Sequence, residues 1–181
     1  MGVAEFNLAD ALDPGYLVDL EHLPLPELRA KRDACSELET ELSYLRRLAQ
    51  ARVDLILAEV EGRRLGTPAQ GTDDLVGRLP RILGDHEREV GPGRLPTLLA
   101  PAEGVQVSLA ARVEELLPSE RLGSLAGLSS ADLDGTLARL SALEREVSRE
   151  RRSLHDIVDR LQEELVRRYR SGEASVDALL S

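Results

Sequence analysis

Two stretches of the chain carry apolar residues at steps of three and four. In the first, Leu38, Leu42, Leu45, Ala49, Val53, Ile56 and Val60 fall on one line. In the second, Leu137, Leu140, Leu143, Val147, Leu154, Val158, Leu161 and Leu165 do the same. Steps of this kind follow the 3.6-residue period of an amphipathic helix. The first pattern predicts a helix over residues 26–61. Pro26 suits its first turn, where a missing N–H costs nothing, and Gly62 reads as its stop. The second predicts a helix over residues 130–171. Ser129 or Ser130 reads as the N-cap, with Asp132 and Asp134 as acids in the first turn. Arg167, Arg168 and Arg170 match the negative end of the dipole, and Gly172 reads as the stop.

Helices of roughly 35–42 residues are about 50–60 Å long at 1.5 Å per residue. Neither can bury its apolar line alone. The expected fold is therefore all-α, an antiparallel two-stranded coiled-coil hairpin of two long helices. Residues 1–25 read as an irregular segment, interrupted at Asp13-Pro14-Gly15 and at Pro24. Residues 62–129 recur in glycine and proline and read as a connecting segment, with short helices at 72–83 and 108–120 and a loop at 91–104. Residues 172–181 read as a tail. A connection this long is also able to return the chain for a parallel pair, so the antiparallel order is a preference.

Composition narrows the function. Hydrophobic residues make up 42% of the 181, but aromatics only 2%: Phe6, Tyr16, Tyr44 and Tyr169. An aliphatic core suits helix-on-helix packing better than a sandwich or barrel. It also leaves little for stacking single-stranded bases. The net charge of −10 argues against a DNA or RNA partner and suits a basic protein partner. Cys35 is the one cysteine, so no intrachain disulfide and no cysteine-based zinc site is possible, and it reads as a small buried residue. His22, His86 and His155 are far apart, and no metal site is expected. No Gly-x-x-x-x-Gly-Lys loop occurs, and no enzymatic activity is expected. Acids stand where a signal peptide carries bases, and no apolar run nears the ~20 residues of a membrane span. A cytoplasmic protein without membrane contact is expected.

One polar row alters this picture. Glu39, Ser43, Arg46, Gln50 and Asp54 run beside the first apolar line. Glu144, Ser148, Arg151, His155 and Asp159 repeat them at the same offsets beside the second, with four of five residue types conserved between the copies. At 100° per residue each row occupies a band of roughly 80°. Helices rich in Glu and Arg produce charge pairs by default, and coiled coils place them beside the seam. That default does not call for serine, a mediocre helix former, at the same place twice. The set has a chemistry of its own. Arginine can fork onto guanine O6 and N7 or stack on a base, and aspartate can accept from the guanine N1–H and N2–H₂ edge. Serine can bond a phosphate or ribose oxygen, and glutamate a ribose hydroxyl or the arginine itself. Two such rows point to a small, roughly symmetric guanine nucleotide. Arg46 and Arg151, with Arg47, Arg52, Arg149, Arg152 and Arg160 close by, would offset the acidity locally. Arg46 and Asp54 are both expected near the surface. The plainer alternative is a coiled-coil interaction protein that needs no nucleotide.

The repeated Glu-x3-Ser-x2-Arg-x3-Gln-x3-Asp pattern, with His155 replacing Gln in the second copy, resembles that of the RsiG family of actinobacterial anti-sigma factors. The resemblance implies an antiparallel coiled coil that binds two molecules of cyclic di-GMP, as a partially intercalated dimer, through both motifs. It implies that the loaded protein captures a WhiG-like, flagellar-type sigma factor of sporulation genes and keeps it from RNA polymerase. Because both motifs lie in one chain, the resemblance implies a monomer in a 1:1 complex with the sigma factor.

Overall fold

The computed structural model describes residues 6–67, 77 and 111–172. Among them every regular element is helical. A short helix α1 (Leu8–Ala11) opens the described chain. Asn7 accepts from the N–H groups of Ala9 and Asp10, while the Asp10 carboxylate accepts from the N–H of Asn7, closing a capping box. A 3₁₀ turn follows at Leu20–His22, entered through Asp19 at φ 55°. Helix α2 (Leu25–Arg64) is 40 residues long.

Gly62 does not end α2. It is buried inside the last turn, where packing outweighs the ~1 kcal/mol that glycine costs a helix. The end comes at Gly66, whose φ of 73° only glycine adopts readily. The Thr67 N–H donates to the Gly62 carbonyl at 2.7 Å and the Gly66 N–H to the Arg63 carbonyl at 3.1 Å, a Schellman closure.

Of the connecting segment, the structure describes a helix α3 (residues 111–116) and a 3₁₀ stretch at Ser119–Gly127 that is kinked at Ser124. The expected helix at 72–83, residue 77 apart, and the loop at 91–104 lie outside the described residues. So does the tail from residue 173. Helix α4 (Ser130–Ser171) runs 42 residues. Ser129 is its cap: its Oγ accepts from the Asp132 N–H at 3.1 Å and donates to the Asp132 carboxylate at 2.7 Å. Gly172, at φ 78°, follows its last residue.

Most of the buried positions keep a seven-residue step. On α2 they are Leu28, Cys35, Leu42, Ala49 and Ile56, with Leu45, Arg52 and Glu59 three residues after members of that series. On α4 they are Leu133, Leu140, Val147, Leu154, Leu161 and Arg168, with Thr136 and Leu143 three residues after. Seven residues in two turns is the coiled-coil period, at which a narrow stripe stays turned to its partner helix. The two long helices pack against each other, as the sequence predicts.

The chain divides into two compact units. The first joins Met1–Leu42 to Arg149–Ser181. Its parts of α2 and α4 pair antiparallel: Arg29 bonds the Tyr169 hydroxyl, Arg32 donates to Gln162 at 3.2 Å, and Arg151 donates to Glu39 at 3.1 Å. The N-terminal segment adds a third layer. Buried Arg168 donates to the carbonyls of Leu20 and Leu23, and Lys31 donates to the Tyr16 carbonyl while lying over its ring. Cys35 is buried beneath the Tyr16 hydroxyl, and burial pushes both the thiol and the phenol up, so both stay protonated.

The second unit is Ser43–Ser148. Here too α2 and α4 run antiparallel, with Arg46 opposite Glu144 and Arg63 donating to the carbonyls of Leu125, Ala126 and Leu128. Its third layer is α3 with the 3₁₀ stretch, which bury Val113, Leu117 and Leu125. Arg52 ties that layer to α2. Its Nε donates to the Leu117 carbonyl at 3.0 Å, and its Nη2 donates to Ser119 Oγ at 2.9 Å and to Glu114. Arg52 therefore does not serve as a reserve of positive charge for a ligand, as the sequence suggested. It is buried at a seam position, seven residues beyond Leu45, and committed to three partners.

Candidate functional site

The motif residues are shared between the units in a regular way. The second unit holds Ser43, Arg46, Gln50 and Asp54 of the first motif, together with Glu144 and Ser148 of the second. The first unit holds Arg151, His155 and Asp159 of the second motif, together with Glu39 of the first. Each unit thus contains the Arg-to-Asp part of one motif and the leading glutamate of the other.

Helix geometry accounts for this. Glu39 and Arg46 each follow a residue of the Leu38–Leu45 line, and Glu144 and Arg151 each follow a residue of the Leu143–Glu150 line. Such positions flank a coiled-coil seam and reach across it. In an antiparallel pair the glutamate of one motif consequently meets the arginine of the other. Arg151 Nη1 donates to Glu39 Oε1 at 3.1 Å in the first unit. Arg46 Nη1 lies 3.7 Å from Glu144 Oε1 in the second. Ser148 Oγ donates to that same glutamate oxygen at 2.9 Å.

The ends of the two motifs differ. Gln50 Nε2 donates to Asp54 Oδ1 at 3.1 Å, fixing the plane of that carboxylate. His155 Nε2 stands 3.7 Å from Asp159 Oδ2, beyond hydrogen-bond length. Burial differs as well. Asp54 is only 7% exposed, whereas the Asp159 side chain is 63% exposed. The Arg46 side chain is 14% exposed and that of Arg151 40%. The expectation that Arg46 and Asp54 lie near the surface is thus wrong for Asp54 and only partly right for Arg46. Unit two buries positions off the seam, Asp54 and Leu55 among them. In unit one the third layer joins α4 further on, at Arg168, and leaves His155 and Asp159 in solvent.

The arrangement has a clear chemical capacity. A carboxylate on one side of a guanidinium fixes its plane, so that its remaining N–H groups present a planar fork. A carboxylate two turns further along the same helix face supplies an acceptor. Fork and acceptor together match the donor and acceptor pattern of a guanine edge. No group of three or more metal-ligating side chains occurs among the described residues. None of the described helices is long and apolar enough to cross a membrane.

A family model described as RsiG-like matches residues 14–83. Over that stretch the chain is similar to RsiG-like proteins. The match includes all of α2 and the entire first motif; the second motif lies beyond it. It supports an RsiG-type anti-sigma factor and so bears out the resemblance drawn from the motif. A search of curated proteins gives no match.

Proposed function

We propose that this RsiG-like chain is an anti-sigma factor controlled by cyclic di-GMP. Two nucleotides bind, one to the Arg46–Gln50–Asp54 set and one to the Arg151–His155–Asp159 set. The loaded protein holds a WhiG-like, flagellar-type sigma factor away from RNA polymerase. The observation that carries this reading is the reciprocal exchange of Glu39 with Arg151 and Glu144 with Arg46. Each motif supplies the acid that orients the other motif's arginine, so neither reading set is complete without both motifs. Charge pairs formed merely to stabilise a coiled coil do not require serine, an amide or imidazole, and aspartate at matching offsets.

The nucleotide contributes to sigma capture by binding the loaded conformation better than the empty one. Net acidity of −10 on the protein suits a sigma factor, whose DNA-reading surfaces are basic. Calorimetry should show two cyclic di-GMP molecules bound per chain, with GTP and cyclic di-AMP competing poorly. Arg46→Ala and Arg151→Ala should each weaken binding by about 5- to 150-fold, the worth of one bidentate base contact. Co-purification of the sigma factor should require the nucleotide. Sigma binding that is indifferent to cyclic di-GMP, with no heat of nucleotide binding, would establish a nucleotide-independent coiled-coil adaptor instead.

A further inference from the structure

We propose that His155 is a positioning residue that makes the nucleotide-reading set of the second motif respond to pH. The inference rests on the functional reading above and concerns how that site is regulated. In the first motif, the fourth residue holds the fifth: the Gln50 amide donates to Asp54 at 3.1 Å. An amide does this at any pH. In the second motif the fourth residue is His155, and its Nε2 stands 3.7 Å from Asp159 Oδ2. A neutral imidazole makes no hydrogen bond over that distance, while an imidazolium is attracted to the carboxylate. Protonation therefore gives His155 the hold on its aspartate that Gln50 has on Asp54 at all times. It also adds positive charge where an anionic ligand binds.

The surroundings leave this pair in control. On α4, Arg151 and Arg152 lie one turn before His155, and Asp156 and Asp159 follow it. On the facing part of α2, the charged groups bonded to this stretch of α4 are Glu39, on Arg151, and Arg32, on Gln162. Lys31 is turned away to Tyr16. The N-terminal layer meets α4 at Arg168, well beyond His155. Asp33, paired with Arg32, and Glu37 also stand on that stretch of α2, and Asp159 lies within ion-pair distance of the imidazole. Gln50 and Asp54 carry no titrating base, so the first set lacks this response.

The test compares the full chain with its His155→Gln variant, which restores the amide found in the first motif. Histidines as a class change charge near ~6.5. Between about pH 8 and pH 6 the wild-type affinity for cyclic di-GMP should rise about 2- to 5-fold more than that of His155→Gln, the range for an exposed ion pair. Matching pH profiles for wild type and His155→Gln overturn the inference while leaving the proposed function standing. Absence of cyclic di-GMP binding at every pH overturns both, and is distinguished from the first outcome by the missing binding itself.

Discussion

Arg46, Gln50 and Asp54 in one unit, and Arg151, His155 and Asp159 in the other, share the same spacing and the same partner type across the seam. Their surroundings do not match. The first set ends in a buried aspartate held by an amide; the second ends in an aspartate in solvent beside an imidazole. Spacing decides which helix face a residue occupies, and the antiparallel pairing decides which glutamate meets which arginine. The two units also have different third layers. One is α3 with its 3₁₀ stretch, fastened by Arg52; the other is the N-terminal segment, fastened by Arg168. A repeated motif therefore gives two sets of like residues in unlike settings.

The largest effect on this contrast is expected from Arg52. Arg52→Ala removes the donors to Leu117, Ser119 and Glu114 and leaves a buried space on α2. Glu114 is 40% exposed and can be rehydrated, which limits the loss. A destabilisation of about 2–4 kcal/mol is expected, from unsatisfied buried partners and lost packing. Arg52→Met retains much of the packing and should lose less. Chemical denaturation gives both values. If Arg52→Ala is neutral, the bonds of Arg52 are not what fastens α3 to α2.

A smaller difference should separate the two aspartates. Asp54→Ala strips the acceptor from the Gln50 amide in a buried setting, at a cost of about 1–3 kcal/mol. Asp159→Ala changes an exposed helix position, leaves no buried group unpaired, and should stay within about 0.5 kcal/mol. Thermal unfolding of the two variants decides the matter. Equal costs would mean that the burial of Asp54 carries no energetic weight. Both variants should still lose nucleotide affinity, which separates a structural role from a binding role.

Much of this was legible in the sequence. The apolar steps give both long helices, Ser129 gives one cap, and the repeated offsets single out the ten motif residues. What escaped was tertiary. A glycine inside a turn reads as a stop, yet Gly62 is buried within α2 and Gly66, with its positive φ, marks the end. The Asn7-x-x-Asp10 capping box was a readable sign of α1 in a segment otherwise dominated by breakers. Arg52 and Glu59 also had a signal, since they stand seven and fourteen residues after Leu45. A charged residue on a seam line goes to solvent unless another layer covers it, and no local pattern announces that layer.

Acid should reveal the fastening of the other third layer, with the smallest effect of the three. Glu164 accepts from Arg167 and Arg168, and these guanidiniums, Arg167 first, hold its carboxyl at about 2. Arg168 is the residue that bonds the carbonyls of Leu20 and Leu23. A carboxylate whose folded value is depressed stabilises the fold fully above its unfolded value of ~4.3, and the contribution is lost as pH falls toward the folded value. Glu164→Gln lacks that contribution at every pH. The gap in melting temperature between wild type and Glu164→Gln should thus be widest near neutrality. It should narrow between about pH 4.5 and pH 2, the window set by the two values. Arg167 is half-exposed, so solvent screens its share and the gap at neutrality should be modest. A gap that stays constant on acidification would mean that the ionised carboxylate is not what steadies Arg168, and that the N-terminal layer is held by the backbone carbonyls alone.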